Sequence, residues 1–370
     1  MLSSDIGSMP IRTQSELIWR GARKVNSLIP YLGVNDNEYQ LFKEQVTTAY
    51  IDKIRMGVAI PNYPQFRDMN EMFFALMEGI KKTEKGLSAV KSIKARNRFS
   101  IPEAEVIKDE AEGIRSETGL DRVKLRICVT GPYTLASFFQ SKTPALYEEL
   151  GHALSEILKE SMFSNKKAKT SHVCIDEPVL GFMNDPLLDY GSKGRESLRK
   201  AWDEICRTAV IHGADTSMHL HNTSESLMWE VEHLGTIASH VGDPMYDQES
   251  TLQRLKDWDK QLWAAISITQ FDNLIHFYFS AQGFQGNIPQ KIGEVWTGIR
   301  KGVIDPLIFL EGKNLMRKRL ESIITFFGPE RIQYGSPECG LNSFPTYRLA
   351  LECLRRASET VKEYNIDPSR

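Results

Sequence analysis

The sequence lacks the features that mark secreted, membrane-spanning and nucleic-acid-binding proteins. Its 370 residues include only five cysteines, none of them in a CxxC pair, so we expect free thiols and a reducing cytoplasm, not a disulfide scaffold. No apolar run reaches the roughly 18 residues that cross a bilayer, and no basic segment followed by an apolar core predicts a signal peptide. The net charge of −2 gives no support for a nucleic-acid partner or an anionic membrane surface.

The pattern that is present is an alternation of short apolar or β-branched runs with longer segments of helical periodicity, such as 144–160 and 345–364. The predicted strands end near Ser8, Ile60, Thr130, Ile175, His219, His240, Ile268 and Tyr334. Strands that alternate with helices pair in parallel, so the sequence predicts one domain, 1–370, folded as a closed (β/α)8 (TIM) barrel. An open doubly wound sheet is the alternative, although neither GxGxxG nor GxxxxGK[ST] is present to bind a nucleotide.

Two segments exceed the length that a minimal barrel needs. The charged segment 81–121 is expected to form a helix with a protruding loop, and 272–330 contains the aromatic run His276-Phe277-Tyr278-Phe279. Insertions of this kind lie over the active-site mouth or form contacts between subunits, so an oligomer of identical chains is compatible with them.

Unusual polar residues recur at the ends of the predicted strands, where barrel enzymes carry their chemistry. They are Ser8, Asp176, Glu177, His219, His221, His240, Glu338 and Cys339. By contrast, Cys128 and Cys174 lie inside apolar strands and are predicted to be core residues. This placement of polar groups is the main argument from the residues alone that the protein is an enzyme.

The pair His219 and His221 suggests a metal site. Residues two apart on a strand point to the same side, so both imidazoles would face the mouth of the barrel. His240 would approach from the neighbouring strand, and Cys339 from the tight loop of Ser336-Pro337-Glu338-Cys339-Gly340-Leu341. Imidazole and thiolate ligands together suit zinc. The alternative is that these histidines are hydrogen-bonded structural groups.

Adjacent carboxylates at Asp176 and Glu177 close an apolar strand, and only one of them can point into the mouth. The functional interpretation is that Asp176 binds a cationic group of the substrate or takes part in proton transfer. The structural interpretation, which the residues alone leave equally open, is that one of the two carboxylates caps a helix or pairs with an arginine of the barrel.

Several of these segments resemble, in order, the catalytic half of cobalamin-independent methionine synthase. The segment 6–10 (IGSMP) resembles the IGSFP opening of that family, and 67–73 (RDMNEMF) resembles RNDMVEYF. The segments 130–134, 175–180, 219–221 and 338–341 resemble the TGPVT turn, IDEPAL, the HTH of HTHMC and the start of DCGLKTR. Uroporphyrinogen decarboxylases and the methyltransferases that alkylate coenzyme M share this barrel.

The resemblance implies roles for individual residues. Ser8 would bind the carboxylate of the substrate, Asp176 its amino group, and His221 and Cys339 would hold zinc. The zinc would lower the pKa of a thiol substrate, and the thiolate would attack an electrophilic carbon of a corrinoid or pterin donor. A corrinoid protein could carry that donor. Phe138 lies near the position of an aromatic residue that stacks on the folate donor in the family.

Departures from the family pattern are as informative as the matches. Thr223 replaces the zinc cysteine that follows HxH, and His240 aligns with the zinc glutamate, so the expected ligands are His221, His240 and Cys339, with His219 or Glu338 as further candidates. An amine-binding glutamate of the family aligns near Tyr63, which weakens the case for a substrate ammonium group. The loop with the family's proton donor has no clear match, and Asp272 or His276 is the expected substitute.

Three functions remain open from the sequence. The first is a zinc-dependent methyltransferase that makes methionine or a related thioether. The second keeps the metal but uses a thiol without an amino group, such as coenzyme M, with an epoxide or a methylcorrinoid as donor. The third is a metal-free lyase or binding barrel, which the replacement of a ligand by Thr223 permits.

Overall fold

The computed structural model describes residues 1–27 and 36–366 and contains a curled sheet of seven parallel strands. Its strands are β1 (Leu2–Ser3), β4 (Val123–Thr130), β5 (Ala168–Glu177), β6 (Asp215–Leu220), β7 (Thr236–Ala238), β8 (Gln261–Ser267) and β9 (Ile332–Pro337), while β2 (Met77–Thr83) and β3 (Gly86–Ala95) form a separate antiparallel hairpin. The strands of the curled sheet lie in the order β1-β9-β8-β7-β6-β5-β4. The predicted class, a parallel α/β fold, is therefore confirmed.

The sheet curls far enough for strands that are not neighbours to touch. His172 on β5 stacks edge-on against Tyr334 on β9, with ring centroids 4.8 Å apart, and against Trp263 on β8 at 5.5 Å. The guanidinium of Arg126 on β4 lies 5.0 Å from the Trp263 ring. These contacts across the inside of the curl make the fold resemble a TIM barrel.

Closure by a regular eighth strand, which the sequence predicted near Ile60, is not observed. Residues 60–65 make isolated parallel bridges and no ladder: Ile60 pairs with Ser4, Gln65 with Ser8, and Asn62 with Arg126. Pro61 and Pro64 have no backbone N–H to donate, so this segment cannot form a continuous ladder. The chain is thus a curled seven-stranded sheet with an irregular segment at the eighth position, not a closed barrel of eight strands.

The helices lie between the strands, as the alternating pattern predicted. They are α1 (Ser15–Val25), α2 (Asn37–Arg55), α3 (Glu71–Phe74), α4 (Pro102–Asp109), α5 (Ala111–Thr118), α6 (Pro132–Ala136), α7 (Pro144–Ser161), α8 (Lys193–Ile211), α9 (Glu249–Asp257), α10 (Phe271–Ala281), α11 (Ile288–Arg300), α12 (Lys313–Phe327) and α13 (Tyr347–Ile366). Thr143 caps α7 by accepting a hydrogen bond from the N–H of Leu146, and Pro144 fits the first helical position. None of the helices in the described residues is long and apolar enough to cross a membrane.

The two long segments, which were expected to be insertions or extended loops, both contain regular secondary structure. Within 81–121, the predicted helix with a loop is instead the end of the β2–β3 hairpin followed by α4 and α5. The hairpin needs glycines at positive φ, Gly79 at 89° and Gly86 at 119°. Residues 272–330 are mostly helical and form α10, α11 and α12. The apolar residues of α10 and α11 pack in one cluster with Phe309, whereas those of α12 join the main core.

Candidate metal centre

A cavity of about 400 Å³ opens at the carboxyl ends of the parallel strands. Its walls hold many of the polar residues that the sequence analysis singled out, because the ends of parallel strands meet at one edge of the sheet. The lining side chains include Ser8, Gln65, Arg67, Asp68, Asp176, His219, His221, Cys339 and Asn342.

Strand β6 brings two imidazoles to this cavity. His219 is in the strand and His221 follows its last residue, and their ring centroids are 5.3 Å apart, as expected for positions that alternate on a pleated backbone. Burial and the neighbouring imidazoles of His219 and His240 lower the pKa of His221 to about 3. The His221 imidazole is therefore neutral at physiological pH and can offer a lone pair to a metal ion.

His240 reaches the same place from the loop after β7. Its ring centroid lies 4.1 Å from that of His221, and burial lowers the pKa of His240 to about 4. Its Nε2 atom is buried and has no hydrogen-bond partner among the described residues. A buried polar atom without a partner costs free energy, so this nitrogen points to a ligand that would occupy the space beside it.

Cys339 approaches from the loop after β9, and its Sγ lies 3.6 Å from Nε2 of His221. Burial raises the pKa of Cys339 to about 12, so the thiol is protonated unless a cation displaces the proton. Gly340 is required beside it, because an added Cβ there would come within 1.9 Å of the Ser8 hydroxyl oxygen. The loop therefore combines a metal-binding sulfur with a close backbone approach to Ser8.

These groups fit a tetrahedral zinc ion. One potential ligand atom from each of His219, His221, His240 and Cys339 lies within 4.8 Å of the others. Zinc–sulfur and zinc–nitrogen bonds of about 2.3 and 2.0–2.1 Å at a tetrahedral angle separate the two ligand atoms by roughly 3.6 Å. The measured separation of Cys339 and His221 matches that value without any movement of the side chains.

His219 differs from the other three residues because it already has partners. Its Nε2 donates a hydrogen bond of 2.9 Å to the backbone carbonyl of Glu338, and its Nδ1 lies 3.6 Å from a carboxylate oxygen of Asp176. His221, His240 and Cys339 are therefore the candidate ligands that are not bonded to a backbone carbonyl. His219 retains only Nδ1, which lies beside Asp176, as a possible fourth ligand atom.

Solved structures resemble this chain over nearly its whole length, at low sequence identity. No protein-family model and no curated protein sequence matches the chain. Two solved structures align with nearly all of it: a B12-independent methionine synthase from Shewanella sp. W3-18-1 in complex with selenomethionine, and a candidate vitamin-B12-independent methionine synthase from Listeria monocytogenes. The first has a TM-score of 0.60 at 13% identity and the alignment covers 99% of both chains; the second has 0.57 at 12% identity and 98% of both.

The chain shares the fold of B12-independent methionine synthase. The family resemblance that the sequence motifs predicted is therefore confirmed at the level of structure.

The side chains of Thr223 and Glu338 both make hydrogen bonds to groups outside the cluster of imidazoles. The Thr223 hydroxyl donates a 2.5 Å hydrogen bond to Asp243. The Glu338 carboxylate accepts backbone N–H groups of Val241 and Thr269, each at 2.9 Å, and burial raises its pKa. Glu338 thus ties together the loops that follow β7, β8 and β9, and its oxygen atoms are not free to bind a metal.

The two adjacent carboxylates divide as the strand pattern predicted. Asp176 lines the cavity, and its polar contacts are the Cys174 thiol at 3.4 Å and His219. Glu177 points the other way, where it accepts hydrogen bonds from Trp202 and from the backbone of Tyr133 and Thr134 at the start of α6. Glu177 thus caps a helix, as the structural interpretation expected of one of the two carboxylates, and neither carboxylate forms an ion pair with an arginine among the described residues.

The predicted substrate-binding residues are not all in one place. Ser8 lines the cavity, whereas Tyr63 is fully buried behind it and donates a hydrogen bond to the carbonyl of Cys128. Phe138 is 43% exposed and packs against Phe74 outside the cavity wall. Of these three side chains, the structure brings only Ser8 to the cluster of imidazoles.

The two candidates for a proton donor lie on α10. Asp272 accepts a 2.6 Å hydrogen bond from the indole of Trp296, and His276 is exposed next to Phe277. Neither lines the cavity. The structure therefore does not bring the predicted donors together with Asp176.

Four polar side chains that line the cavity were not predicted to have a role: Gln65, Arg67, Asp68 and Asn342. Arg67 is held by Glu103 through two hydrogen bonds of 2.8 and 2.6 Å and stacks on Trp19. The sequence did contain a signal for Arg67, because this residue begins the RDMNEMF segment that resembles a motif of the family. For Gln65 and Asn342, only the tertiary fold shows that the loops meet.

Proposed function

We propose that this protein is a zinc-dependent enzyme that transfers a methyl or other alkyl group to a small thiol. The convergence of His221, His240 and Cys339 carries the proposal, because three protein ligands with an open fourth position are typical of catalytic zinc sites. Zinc held there would lower the pKa of a thiol at the open position enough to make it a nucleophile near neutral pH. The orphaned Nε2 of His240 supports this assignment independently of any relative.

The residues around the cluster would bind and orient the thiol. Asp176 lines the cavity and forms no direct ion pair with a lysine or arginine among the described residues, although the buried Arg126 lies near enough to interact with its charge, so a substrate ammonium group could pair with it directly. The Ser8 hydroxyl also lines the cavity and has no hydrogen-bond partner among the described residues, which suits it to a substrate carboxylate. These features favour homocysteine as the acceptor and methionine as the product. The Shewanella protein was solved with selenomethionine, the selenium analogue of that product.

A thiol without an amino group, such as coenzyme M, is the second candidate, and Tyr63 is the observation that favours it. Where the family has an amine-binding glutamate, Tyr63 is fully buried and its hydroxyl is bonded to a backbone carbonyl. Asp176 and Asp68, which also lines the cavity, would then be the carboxylates left to hold an ammonium group. A methylcorrinoid, free or on a corrinoid protein, or an epoxide would be the donor in this case.

The methyl donor for the first candidate would be a corrinoid or a pterin. Phe138, the expected stacking partner for a pterin, lies outside the cavity wall and packs against Phe74. This favours the corrinoid, which does not depend on that aromatic residue.

The decisive experiment combines metal analysis with a turnover assay. We expect about one zinc per chain in purified protein by mass spectrometry of the metal, and zinc-dependent methylation of homocysteine by methylcobalamin. Cys339→Ala should lose both, whereas Cys206→Ala, which alters a buried cysteine of α8, should lose neither. Turnover with coenzyme M but not homocysteine would select the second candidate. Protein that is purified without zinc and cannot bind added zinc would support the third function, a metal-free lyase or binding barrel.

A further inference from the structure

A second charged feature lies away from the zinc cluster, in a groove between the hairpin strand β3 and helix α7. The groove has a volume of about 580 Å³. One wall is basic and is formed by Lys94, Arg96 and Arg98. The other wall is acidic and is formed by Glu148, Glu149, Glu156 and Glu160.

The basic wall belongs to a strongly charged hairpin. Residues 81–98 include seven lysines and arginines but only one glutamate, in a chain whose net charge is −2. The side chains of Lys94, Arg96 and Arg98 are exposed, and none of them lies within 4.0 Å of a carboxylate oxygen in the described part of the chain. The cations of this wall are therefore free to meet a negative surface.

The acidic wall is rigid and faces the basic wall without pairing to it. Glu149 accepts a 2.8 Å hydrogen bond from the backbone N–H of Ile93, which fixes α7 against β3. Glu156 has one weak contact, with Lys159 on its own helix at 3.9 Å. Glu160 lies in the last turn of α7, where the helix dipole disfavours a negative charge.

We propose that this groove is the interface through which two copies of the chain form a twofold-symmetric dimer. In a twofold interface, if surface A of one copy contacts surface B of its partner, then surface B of the first copy contacts surface A of the partner. The basic wall of each copy would therefore face the acidic wall of the other, and every unpaired charge would gain an opposite. The two walls carry opposite charges, and this charge complementarity is the observation that selects a second copy as the occupant.

Other polyanions fit the groove less well. The acidic wall would repel a nucleic acid or an anionic membrane from the same place where the basic wall attracts it. In addition, residues 75–98 contain no aromatic side chain on which a base could stack. A second copy satisfies both walls, whereas these partners satisfy one.

The test uses charge reversal and sedimentation velocity. Wild-type protein should sediment as a dimer at micromolar concentration, and its dissociation constant should rise at least roughly tenfold between 0.05 and 0.5 M salt because the pairs are screened. Lys94→Glu with Arg96→Glu should give monomers, and so should Glu156→Lys with Glu160→Lys. An equimolar mixture of these two variants should recover the dimer as a heterodimer, because each then carries two walls of one sign.

The control reverses two exposed lysines far from the groove, Lys301→Glu with Lys318→Glu, and should leave the dimer unchanged. Thermal unfolding of every variant excludes loss of folding as the cause. Wild-type protein that sediments as a monomer would overturn the proposal, as would reversal variants that stay dimeric or a mixture that stays monomeric. Binding of a DNA duplex or of anionic vesicles by monomeric wild-type protein would assign the groove to another occupant.

Discussion

Sγ of Cys339 lies 3.6 Å from Nε2 of His221, although 118 positions separate the two residues in the sequence. The contact arises because β6 and β9 end at the same edge of the curled sheet. It leaves the sulfur and the nitrogen at roughly the separation that two ligands of a tetrahedral zinc ion have. The strand that carries each residue can be predicted from the local sequence, but the distance between the two residues depends on the whole fold.

The unpartnered nitrogen of His240 leads to the first prediction. Replacing His240 by leucine removes a buried polar atom that has no hydrogen bond, so the metal-free protein should be at least as stable as wild type. Zinc affinity should fall at least about hundredfold, because one of three protein ligands is lost. Chelator competition measures the affinity, and denaturant unfolding of metal-free protein measures the stability.

The matched control for this variant is His152→Leu, which alters an exposed imidazole bonded to Glu204. It should not change zinc affinity. A His240→Leu protein that binds zinc as wild type does would remove His240 from the ligand set.

The pH dependence of zinc binding follows from the shifted pKa values. Burial holds the pKa of His221 near 3 and of His240 near 4, so neither imidazole releases a proton on binding zinc above about pH 5. Cys339, whose pKa burial raises to about 12, must release one. The apparent zinc affinity should therefore rise about tenfold per pH unit between pH 5.5 and 8.

Chelator competition at several pH values gives this slope. Cys339→Ser, which has no thiol proton to lose, should bind zinc more weakly and with little dependence on pH over the same interval. Ordinary imidazole titration would instead steepen the wild-type slope below about pH 6.5, and that result would contradict the assigned pKa shifts.

Strand periodicity predicted much of the candidate site. A spacing of two placed His219 and His221 on one side, and the rule that parallel strands end at a common edge placed Asp176 beside them. Which of the gathered groups is free to bind a metal could not be predicted. That distinction depends on hydrogen bonds between distant loops, such as those that occupy Glu338.

The fold was predicted less well where the usual patterns fail. The sequence contains the β-rich segment near Ile60, but Pro61 and Pro64 interrupt its ladder, so the barrel does not close regularly. Both faces of the β2–β3 hairpin are largely exposed, so the hairpin lacks the alternation of apolar and polar residues that identifies a strand. The expectation of a helix with a loop for 81–121 therefore missed the hairpin strands, although helices α4 and α5 do follow within that segment.

The carboxylate of Asp176 gives a prediction that separates the two candidate thiols. Asp176→Asn removes the negative charge but keeps the size and one acceptor oxygen, so the thermal unfolding temperature should change by less than about 2 °C. The kcat/KM for homocysteine should fall at least about tenfold, because a charged hydrogen bond to the ammonium group is lost. The kcat/KM for coenzyme M, which has no ammonium group, should change by less than about threefold if that thiol is turned over at all.

The comparison of the two thiols in the same variant serves as the internal control. An equal loss with both would mean that Asp176 acts on the reaction itself, through proton transfer or through His219. A variant that fails to fold would make the carboxylate structural.

The Glu338 carboxylate gives the last prediction, which concerns stability and not metal binding. Both of its oxygens accept backbone N–H groups, from Val241 and Thr269, and Glu338→Ala leaves these donors without partners. The free energy of unfolding of the metal-free protein should fall by about 2–4 kcal/mol. Glu338→Gln keeps one acceptor, so it should fold, lose less stability and bind zinc within about tenfold of wild type, since the carboxylate is not a ligand. A loss of zinc affinity in Glu338→Gln as large as that in Cys339→Ala would show instead that Glu338 leaves its two backbone partners to coordinate the metal.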